Sequence, residues 1–492
     1  MSWARRRLRL IIACAATALV LGPVAWFWQA SLLPDAYSVM DMGFVDGGGP
    51  TTTGAHTHHA AGGRSLATLV ADPARPADVA LTLTARHEHF RLPSGRMIDG
   101  YTLNGQSPGP TIRATAGQLV QVTLVNESVP DGVTLHWHGV DVPNAADGVA
   151  GVTQDAVAVG QTYVYRFVAN QVGTFWYHSH QMSHEQVRGG LLGALVVTPA
   201  EREPAAVDVV ALVHLYDGVR TINGVEGDVR VAVPLGGRAR VRVINSDNGP
   251  MSTWVAGASY RLVAVDGTNL AGATPVRDTA VLVTAGGRAD LEVSMPRDGT
   301  PVRIHLGGAT GVVLGSQSFV VEPAARPGTT LDLLTYGTPT RLGFDPDAPD
   351  RRFEYSIGRR PGFLNGRPGL FWTINGHPFP DVPMFVVGEG DVVRMRISNH
   401  SGEVHPMHLH GHHAVVLGRD GVRATGTAWW VDSLNVANGE TYDIAFVADN
   451  PGIWMDHCHN LRHAAEGLVA HLMYEGMTTP YAVGGRAGNE PE

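Results

Sequence analysis

The residues best suited to metal chemistry form a short run near the end of the chain, His457-Cys458-His459. If this run is a β-strand, the two histidines point to one face of the sheet and the cysteine to the other, because successive side chains of a strand alternate. One strand can then bind two metal centres and join them covalently. His463 follows the cysteine after five residues, and Leu468 follows it after ten. A cysteine with two histidines and a weak or missing axial ligand is the ligand set of a blue copper electron-transfer site.

Three further segments supply pairs of histidines with one residue between them. Such a pair presents two imidazoles on one face of a strand, and four pairs offer eight imidazoles, enough for three metal ions. His405 has the opposite parity to His408 and His410, so it is free to turn towards the side of Cys458. A single pair is more often a zinc site or a surface pair, but a zinc enzyme typically needs three protein ligands and an open position. The three segments are His136-Trp137-His138, His178-Ser179-His180 and His405-Pro406-Met407-His408-Leu409-His410.

These four motifs, in this order, resemble those of the multicopper oxidase family, which includes laccases, ascorbate oxidase, cuprous oxidases and bilirubin oxidases. The resemblance extends from about residue 80 to the mid-470s. It implies four copper ions per chain, namely one type 1 ion, one type 2 ion and a type 3 pair. The type 1 ion would be bound by Cys458, His405 and His463, the type 2 ion by His136 and His408, and the type 3 pair by His138, His178, His180, His410, His457 and His459.

The resemblance also implies a reaction, in which a reductant is oxidised one electron at a time at the type 1 copper and O₂ is reduced by four electrons to water at the trinuclear cluster. Cys458 would carry the electrons to its two neighbouring histidines. Leu468 occupies the axial position, where many relatives have methionine, and an apolar residue there is expected to raise the copper potential. Asp147, nine residues after His138, matches the family's acid near the type 2 copper and is the candidate catalytic proton donor. An Asp-Gly pair is also a turn signal, so a structural role for Asp147 stays open.

Length and composition favour a large β protein. A chain of 492 residues is too long to fold around one hydrophobic core, and its length is consistent with about three domains. The 60 glycines and 31 prolines favour many turns, and the hydrophobic fraction of 44% is ordinary for a folded protein. The net charge of −9 argues against nucleic acid as a partner, since no basic stripe stands out to neutralise phosphates. Cys14 and Cys458 are the two cysteines, so the folded part has no internal disulfide.

The chain repeats one pattern three times, which is typical of similar domains in series. An Asn-Gly pair begins each repeat, at Asn104, Asn223 and Asn375, and an alternating strand then runs to a second asparagine 22, 22 and 24 residues later. Period-two strands with short turns predict antiparallel sandwiches. With the resemblance, the expected fold class is all-β, with three cupredoxin-like Greek-key β-sandwich domains after an N-terminal anchor or signal segment.

We expect domain 1 at residues 77–200 with type 2 and type 3 ligands, domain 2 at 201–328 without copper, domain 3 at 329–480 with the type 1 site and the remaining ligands, and a tail at 481–492. The middle repeat has Ser252-Thr253-Trp254 where the outer repeats have a histidine pair. Eight ligands divided between the first and third units require those units to pack against each other. The histidine cluster should lie at their interface, and the middle domain would act as a spacer.

Residues 1–28 predict a membrane anchor or a signal peptide. Four arginines precede an uncharged, mostly apolar run from Leu10 to Trp28, which is long enough to cross a bilayer. We favour a retained anchor because no convincing cleavage site follows, and we expect an extracytoplasmic protein, anchored in the cell membrane or secreted. Residues 29–76 lack periodicity and predict a flexible linker. This segment carries a group of possible copper-collecting residues, which we interpret instead as incidental residues of a spacer: Met40, Met42, His56, His58 and His59.

The reductant is only weakly encoded in the sequence. Laccase-like enzymes oxidise phenols or aryl amines by outer-sphere electron transfer through an exposed type 1 histidine, whereas cuprous oxidases, which detoxify copper, usually carry a methionine-rich segment. The 13 methionines are scattered, which favours a phenol or an aryl amine and leaves Cu(I) as the alternative. A copper store would not need a thiolate strand joined to a trinuclear set. A copper nitrite reductase has a lone type 2 site and no H-C-H run.

Overall fold

The computed structural model describes residues 3–49, 63–201, 207–315 and 322–492. Within these residues, six large sheets enclose three main hydrophobic cores, and each core draws its side chains from two sheets. The chain is therefore organised as three successive β-sandwiches, and the predicted all-β fold class is confirmed.

The first sandwich has two four-stranded sheets around a core that includes Trp137 and Phe167. A short helix, Ser183–Gly189, and a 3₁₀ turn, Asn144–Ala146, lie in its loops. In spatial order, the strands of one sheet are Met97–Leu103, Val79–Arg91, Leu119–Asn126 and Thr162–Val168, and those of the other are Ile112–Thr115, Leu192–Thr198, Gly173–His178 and His136–His138.

The middle sandwich has a seven-stranded and a six-stranded sheet around a mainly aliphatic core that also contains Tyr260 and Tyr336. The strands of the first sheet, in spatial order, are Val225–Glu226, Val219–Ile222, Val207–Tyr216, Arg238–Asn245, Arg288–Ser294, Tyr260–Val265 and Thr268–Asn269. Those of the second are Val229–Val231, Gly311–Leu314, Val302–Leu306, Met251–Ala256, Thr279–Val283 and Thr329–Thr330.

The third sandwich has a six-stranded and an eight-stranded sheet around the largest core. A short helix, Leu461–Ala465, follows its ligand strand. The strands of the first sheet, in spatial order, are Phe44–Asp46, Pro383–Val387, Val469–Tyr474, Ile453–Cys458, His405–Leu409 and Ser433–Val436. Those of the second are His377–Pro378, Arg367–Ile374, Arg351–Leu364, Val392–Asn399, Thr441–Val447, Ala414–Arg419 and Val422–Arg423, with Trp430–Val431 paired to Ala414–Arg419.

The repeated asparagines have a structural role in all three sandwiches. In each Asn-Gly pair both residues have positive φ, which is the geometry of a type I′ turn. The second asparagine of each repeat is buried, and its side-chain amide donates to two or more backbone carbonyls. In the first repeat these are Val129 and Val157, reached by Asn126 over 2.9 and 2.7 Å. This asparagine therefore fixes the loop that leads to the next strand, which carries the ligands in the outer repeats.

The boundary expected between the second and third domains lies too early in the chain. Thr329–Thr330 pairs in parallel with Thr279 and Ala280 of the middle sandwich. Leu331 and Leu333 then pack on the middle core, so the connection stays with that domain because of these buried contacts. The first strand of the third sandwich begins at Arg351.

The prediction of a flexible linker at 29–76 is wrong for the parts that the structure describes. Val39, Met40 and Met42 are buried in the core of the third sandwich, together with Leu66. Short strands in this segment pair with later ones: Ala36–Tyr37 with Val483–Gly484, Phe44–Asp46 with Pro383–Val387, and Arg64–Ser65 with Met477–Thr478. The segment is ordered because it covers apolar surface and sheet edges. His56, His58 and His59 lie outside the described residues.

The N-terminal helix spans Trp3–Ala30, and the most apolar 18 residues within Arg5–Ala30 have a mean hydropathy of 2.2 and are not buried. Length and composition suffice to cross a membrane. At the end of this helix, Ser31 accepts hydrogen bonds from the backbone amides of Asn365 and Gly366, at the tip of a long hairpin of the third sandwich. Two further 3₁₀ turns, Val39–Asp41 and Leu66–Thr68, follow in the N-terminal segment, and one, Gly485–Ala487, lies near the C-terminal end.

Candidate metal centres

The strand Ile453–Cys458, which we call the thiolate strand, brings the two predicted kinds of site together. It runs antiparallel to His405–Leu409, with His457 opposite His408 and Cys458 opposite Met407. Side chains opposite each other share a face, so His457 and His408 point to one side and Cys458 to the other. The alternation expected from the sequence is present in the structure.

The first sandwich presents its histidines in the same way. His136–His138 runs antiparallel to Gly173–His178, with His136 opposite His178 and Trp176 opposite His138. The eight paired imidazoles of the first and third sandwiches are almost completely buried. They meet at the interface of the two sandwiches, where candidate ligand atoms within each group lie within 4.8 Å of one another. The groups are His136, His138 and His408; His138, His178 and His459; and His180, His410 and His457.

Ring nitrogens of the two sandwiches face each other directly in this cluster. Nε2 of His136 lies 3.4 Å from Nε2 of His408, the predicted type 2 pair. Nε2 of His457 lies 3.2 Å from Nε2 of His410 and 3.4 Å from Nε2 of His180. Each of the three groups has three members, and His138 belongs to two of them. The assignment of individual residues to copper types stays a prediction.

The thiolate site lies on the other face, within the third sandwich. Sγ of Cys458 is 3.5 Å from Nδ1 of His405 and 3.7 Å from Nδ1 of His463, and the two nitrogens are 3.2 Å apart. The centre of this triangle lies roughly 2 Å from each atom, which is the length of a metal–ligand bond. Leu468 is fully buried, and its carbonyl accepts a hydrogen bond from the Cys458 amide. The three ligand atoms fit one small ion without rearrangement.

The electrostatics of both groups suit a metal. Burial lowers the pKa of His457 and of His405 to about 3, so both rings are neutral, which is the form that ligates. Burial also lowers the pKa of His138, His178 and His459 well below 6.5. Nδ1 of His138, Nε2 of His178 and both ring nitrogens of His459 are buried without a hydrogen-bond partner. Unpaired lone pairs on neutral rings are satisfied by a metal ion, and a thiolate–imidazole set is suited to copper.

Asp147, the predicted acid, lies against the cluster and is almost fully buried. Its Oδ2 accepts a hydrogen bond from Nδ1 of His410 at 3.0 Å. Its backbone carbonyl is 3.0 Å from Nδ1 of His136, and Oδ1 lies at the same distance from that nitrogen. Gly148 has positive φ and no room for a side chain, since a Cβ there would lie 1.9 Å from the carbonyl oxygen of Leu135. The Asp-Gly pair therefore forms a tight turn and places a carboxylate between two histidines of the cluster, and the role of Asp147 as proton donor stays a prediction.

The joint between the two sandwiches includes a residue that the sequence did not indicate. The side-chain amide of Asn144 donates to the carbonyl of Ile453 over 3.0 Å and accepts from its backbone N–H over 3.2 Å. Gly452 leaves room for this contact, since a Cβ there would lie 2.5 Å from Cγ of Asn144. Asn144 thus acts like a strand residue that pairs with the thiolate strand from the other sandwich.

The outer edge of the thiolate site carries polar side chains that were also missed. Nε2 of His463 lies 3.3 Å from Oε2 of Glu403 and 3.1 Å from Nδ2 of Asn460. The indole ring of Trp372 packs on both histidines of the thiolate site, with centroids 4.7 Å from His405 and 4.5 Å from His463. Glu466 accepts a hydrogen bond from Nε1 of this tryptophan over 3.1 Å.

The sequence did not indicate a role for Asp432 or Arg288 either. Arg288 is a residue of the middle sandwich and forms a two-pronged ion pair with Asp432, with both N–O distances at 2.6 Å. Oδ1 of Asp432 lies 3.1 Å from Nε2 of His138. No motif marks either residue, since each pairs with a group more than a hundred positions away in the sequence.

Comparisons with known proteins agree with the fold and the site. Two family models described as multicopper oxidase match residues 85–202 and 346–476, which together make up just over half of the chain. Laccase-1 of Botryotinia fuckeliana is 28% identical over 444 residues, covering 75% of this chain and 77% of the relative. Multicopper oxidase MmcO of Mycobacterium tuberculosis is 26% identical over 492 residues, covering 86% and 92%.

Solved structures give the same result. A multicopper oxidase from Pseudomonas thermotolerans superposes with a TM-score of 0.67 at 26% identity, covering 81% of this chain and all of the other. Fet3p, described as a multicopper oxidase that functions in iron import, has a TM-score of 0.69 at 19% identity and shows the shared fold. With the matching family models, the three sandwiches, and ligand groups that fit a type 1 and a trinuclear copper site, the chain belongs to the multicopper oxidase family and is a copper-dependent oxidoreductase.

Proposed function

We propose that the protein couples four one-electron oxidations of a phenol or an aryl amine to the reduction of O₂ by four electrons and four protons to two molecules of water. The observation that carries this proposal is the end of the thiolate strand, where Cys458 belongs to one ligand group and the adjacent His457 and His459 belong to the histidine cluster. The proposed type 1 ligands are Cys458, His405 and His463, with Leu468 in the axial position. His136 and His408 would hold the type 2 ion, and the other six histidines would hold the type 3 pair.

Bound copper would supply single-electron acceptance at the thiolate group and O₂ binding and reduction at the histidine cluster. The residues of the chain supply the route between them, since a single peptide bond joins Cys458 to each neighbouring histidine. The buried triangle of Cys458, His405 and His463 is held by packing on Trp372. A rigid ligand set keeps nearly the same geometry in the two oxidation states of the ion. Little reorganisation is then needed, which favours fast electron transfer.

The reductant would approach at His463. This histidine is 6% exposed, whereas His405 and Cys458 are fully buried. Beside it, the half-exposed carboxylate of Glu403 is held by Arg359 over 2.7 Å. A phenol O–H or an aryl N–H could donate to this carboxylate while the ring contacts the histidine edge, which supports an organic reductant.

The methionines support the same class of reductant over Cu(I). In the described part of the chain, every methionine is buried except the exposed Met97 and the partly buried Met182. Met40 and Met42, the pair considered as a copper-collecting site, pack in the core of the third sandwich. Soft Cu(I) is captured by accessible thioethers, and the described surface offers no group of them.

The test is a comparison of guaiacol and Cu(I) as reductants in one oxygen-consumption assay. We expect the higher kcat/KM with guaiacol, about four electrons transferred per O₂, and a higher KM for guaiacol in the Glu403→Gln variant with little change for Cu(I). Asp208→Asn, at an acidic residue of the middle sandwich remote from this edge, serves as the control. A higher kcat/KM with Cu(I) would contradict the proposal and favour a cuprous oxidase.

Asp147 is proposed as the group that passes protons to the cluster. Its Oδ2 holds Nδ1 of His410 and its Oδ1 faces His136, so a proton at this carboxyl group would lie within one hydrogen bond of two ligands. A positioning role follows from the same contacts, since the carboxylate orients both rings.

We further propose that the N-terminal helix is retained and anchors the protein outside the cytoplasm. The hydropathy of Arg5–Ala30, the arginines at its start and the aromatic residues at its end support this orientation. Mass spectrometry of the protein from the membrane fraction should find residues 1–30 intact. A shorter chain in the soluble fraction would contradict retention.

A further inference from the structure

None of the candidate ligand groups found among the described residues includes a residue of the middle sandwich, yet one loop of this sandwich touches the histidine cluster. Gly286 has positive φ, and a Cβ there would lie 2.9 Å from Cε1 of His138 and 2.9 Å from the ring of His459. The carbonyl of the same glycine accepts a hydrogen bond from Nε1 of Trp176 over 3.0 Å. Two residues further, Arg288 extends into the interface of the three sandwiches. This domain is therefore in contact with the cluster, which the sequence interpretation as a spacer did not anticipate.

Arg288 is fully buried, and its guanidinium pairs most closely with the carboxylate of Asp432, whereas Oδ1 of Asp266 lies farther away, 3.6 Å from Nη1. Nη1 and Nη2 donate to the two oxygens of Asp432 over 2.6 Å each, and Nε donates to the carbonyl of Thr174 over 3.0 Å. A paired, planar arrangement of this kind fixes the carboxylate in position and orientation. Gly139 is required for it, since a Cβ there would lie 2.5 Å from Oδ2 of Asp432 and would also collide with the guanidinium.

Asp432 in turn fixes His138. Its Oδ1 lies 3.1 Å from Nε2 of His138, which Ser433 Oγ also approaches at 3.1 Å. A carboxylate can only accept, so Nε2 of a neutral His138 must carry the proton and Nδ1 must carry the lone pair. That Nδ1 is buried and has no hydrogen-bond partner. His136, His408 and His410 show the opposite arrangement, because their Nδ1 atoms are held by Asp147 or by the Asp432 carbonyl and their Nε2 atoms face other rings.

We infer that Arg288 is a positioning residue of the trinuclear site, which holds Asp432 as the acceptor that selects the His138 tautomer with Nδ1 free to bind metal. The inference rests on the proposed assignment of His138 to the type 3 pair. Without the guanidinium, Asp432 would keep His413 as a cationic neighbour at 3.3 Å but would lose the planar partner that fixes its orientation, and it would turn or drift from the imidazole. His138 could then expose the wrong nitrogen to the cluster.

The experiment compares Arg288→Met with Arg242→Met in the full-length protein. Arg242 is the matched control, because it is also a buried arginine of the middle sandwich, pairs with Asp208 and Asp290, and contacts Thr174 of the first sandwich, but it does not reach Asp432. The readouts are copper per chain, the fraction of copper visible by electron paramagnetic resonance, the ratio of near-ultraviolet to visible absorbance, and the urea midpoint of the copper-free protein.

For Arg288→Met we expect type 3 copper to bind roughly 10- to 100-fold more weakly, the range found when a group that orients a metal ligand is removed. The near-ultraviolet shoulder should fall and the paramagnetic fraction should rise, while the visible thiolate band stays. Arg242→Met should lower the urea midpoint without changing these signals. Arg288→Lys keeps the positive charge but loses the planar, two-pronged contact with Asp432. It should give an intermediate loss of type 3 copper affinity, and it remains informative if Arg288→Met does not fold.

Equal copper signals in the Arg288 and Arg242 variants would overturn the inference and leave Arg288 as a structural ion pair only. Unchanged type 3 signals in both Arg288 variants would do the same. Failure of the proposed function would be seen separately, as the absence of these signals or of O₂ reduction in the unaltered protein.

Discussion

Replacing Asn144 with alanine should weaken the joint between the first and third sandwiches. The side chain forms two hydrogen bonds with the backbone of Ile453, at 3.0 and 3.2 Å, and both residues are completely buried. Alanine removes both bonds and leaves a backbone N–H and C=O without this partner. Because an unsatisfied buried polar group costs about 1–3 kcal/mol, the expected loss is about 3 kcal/mol, or roughly a hundredfold in the equilibrium between joined and separated sandwiches.

The effect on copper should be selective. The candidate type 1 ligands all belong to the third sandwich, whereas the candidate trinuclear ligands come from the first and the third sandwich. Copper-loaded Asn144→Ala should therefore keep its visible thiolate band, lose part of its near-ultraviolet shoulder and bind fewer ions per chain. Urea unfolding of the copper-free protein should give the stability loss directly.

Tyr336→Phe is a suitable control, because Tyr336 is also buried and its hydroxyl accepts from the backbone N–H of Leu262 over 3.2 Å and donates to the carbonyl of Thr274 over 2.8 Å, both within the middle sandwich. It should lower stability to a similar extent and leave the ratio of the two absorbance bands unchanged. The reasoning would be refuted if Asn144→Ala lost both bands in proportion, or if it matched the unaltered protein in both stability and copper content.

Three further predictions concern single residues. Asp147→Asn should slow O₂ reduction by about 10²- to 10⁴-fold, the range for loss of a general acid, and leave the visible band intact; unchanged turnover would remove Asp147 from the mechanism. Leu468→Met should lower the type 1 potential in a redox titration, by at least the roughly 60 mV that correspond to a tenfold change in a one-electron equilibrium; a raised potential would contradict its axial role. Burial lowers the pKa of His214 to about 4 from 6.5. The unfolded chain therefore binds a proton between these values that the folded chain does not, and stability should fall by about 3 kcal/mol as the pH drops from 6.5 to 4. His214→Gln should reduce this dependence of stability on pH, measured by urea unfolding at several pH values. An unchanged dependence would show that other groups cause it.

The ligand strands could be predicted because they obey a local rule. Alternation along a strand is independent of the rest of the fold, so His457 and Cys458 had to face opposite sides once the strand was inferred. The same rule gave the three sandwiches, whose apolar positions before each second asparagine are buried as expected. The meeting of the first and third sandwiches followed from the division of the ligands between them.

The missed residues act through contacts that no local pattern encodes. Arg288 reaches Asp432 across 144 positions, and Asn144 reaches Ile453 across 309. The N-terminal segment was misjudged for a related reason. Its strands are two or three residues long, too short to show a period, and Met40 and Met42 are buried by the third sandwich and not by neighbours in their own segment.

The measurement that tests the central claim most directly is the copper content and absorption spectrum of Cys458→Ser beside those of the unaltered protein. We predict about four copper ions in the unaltered protein and about three in the variant, with the visible thiolate band lost, the near-ultraviolet shoulder kept and oxidation of guaiacol abolished. A visible band that survives the substitution, or an unaltered protein that is fully loaded with copper and colourless, would contradict the claim that this strand joins a thiolate copper site to a trinuclear one.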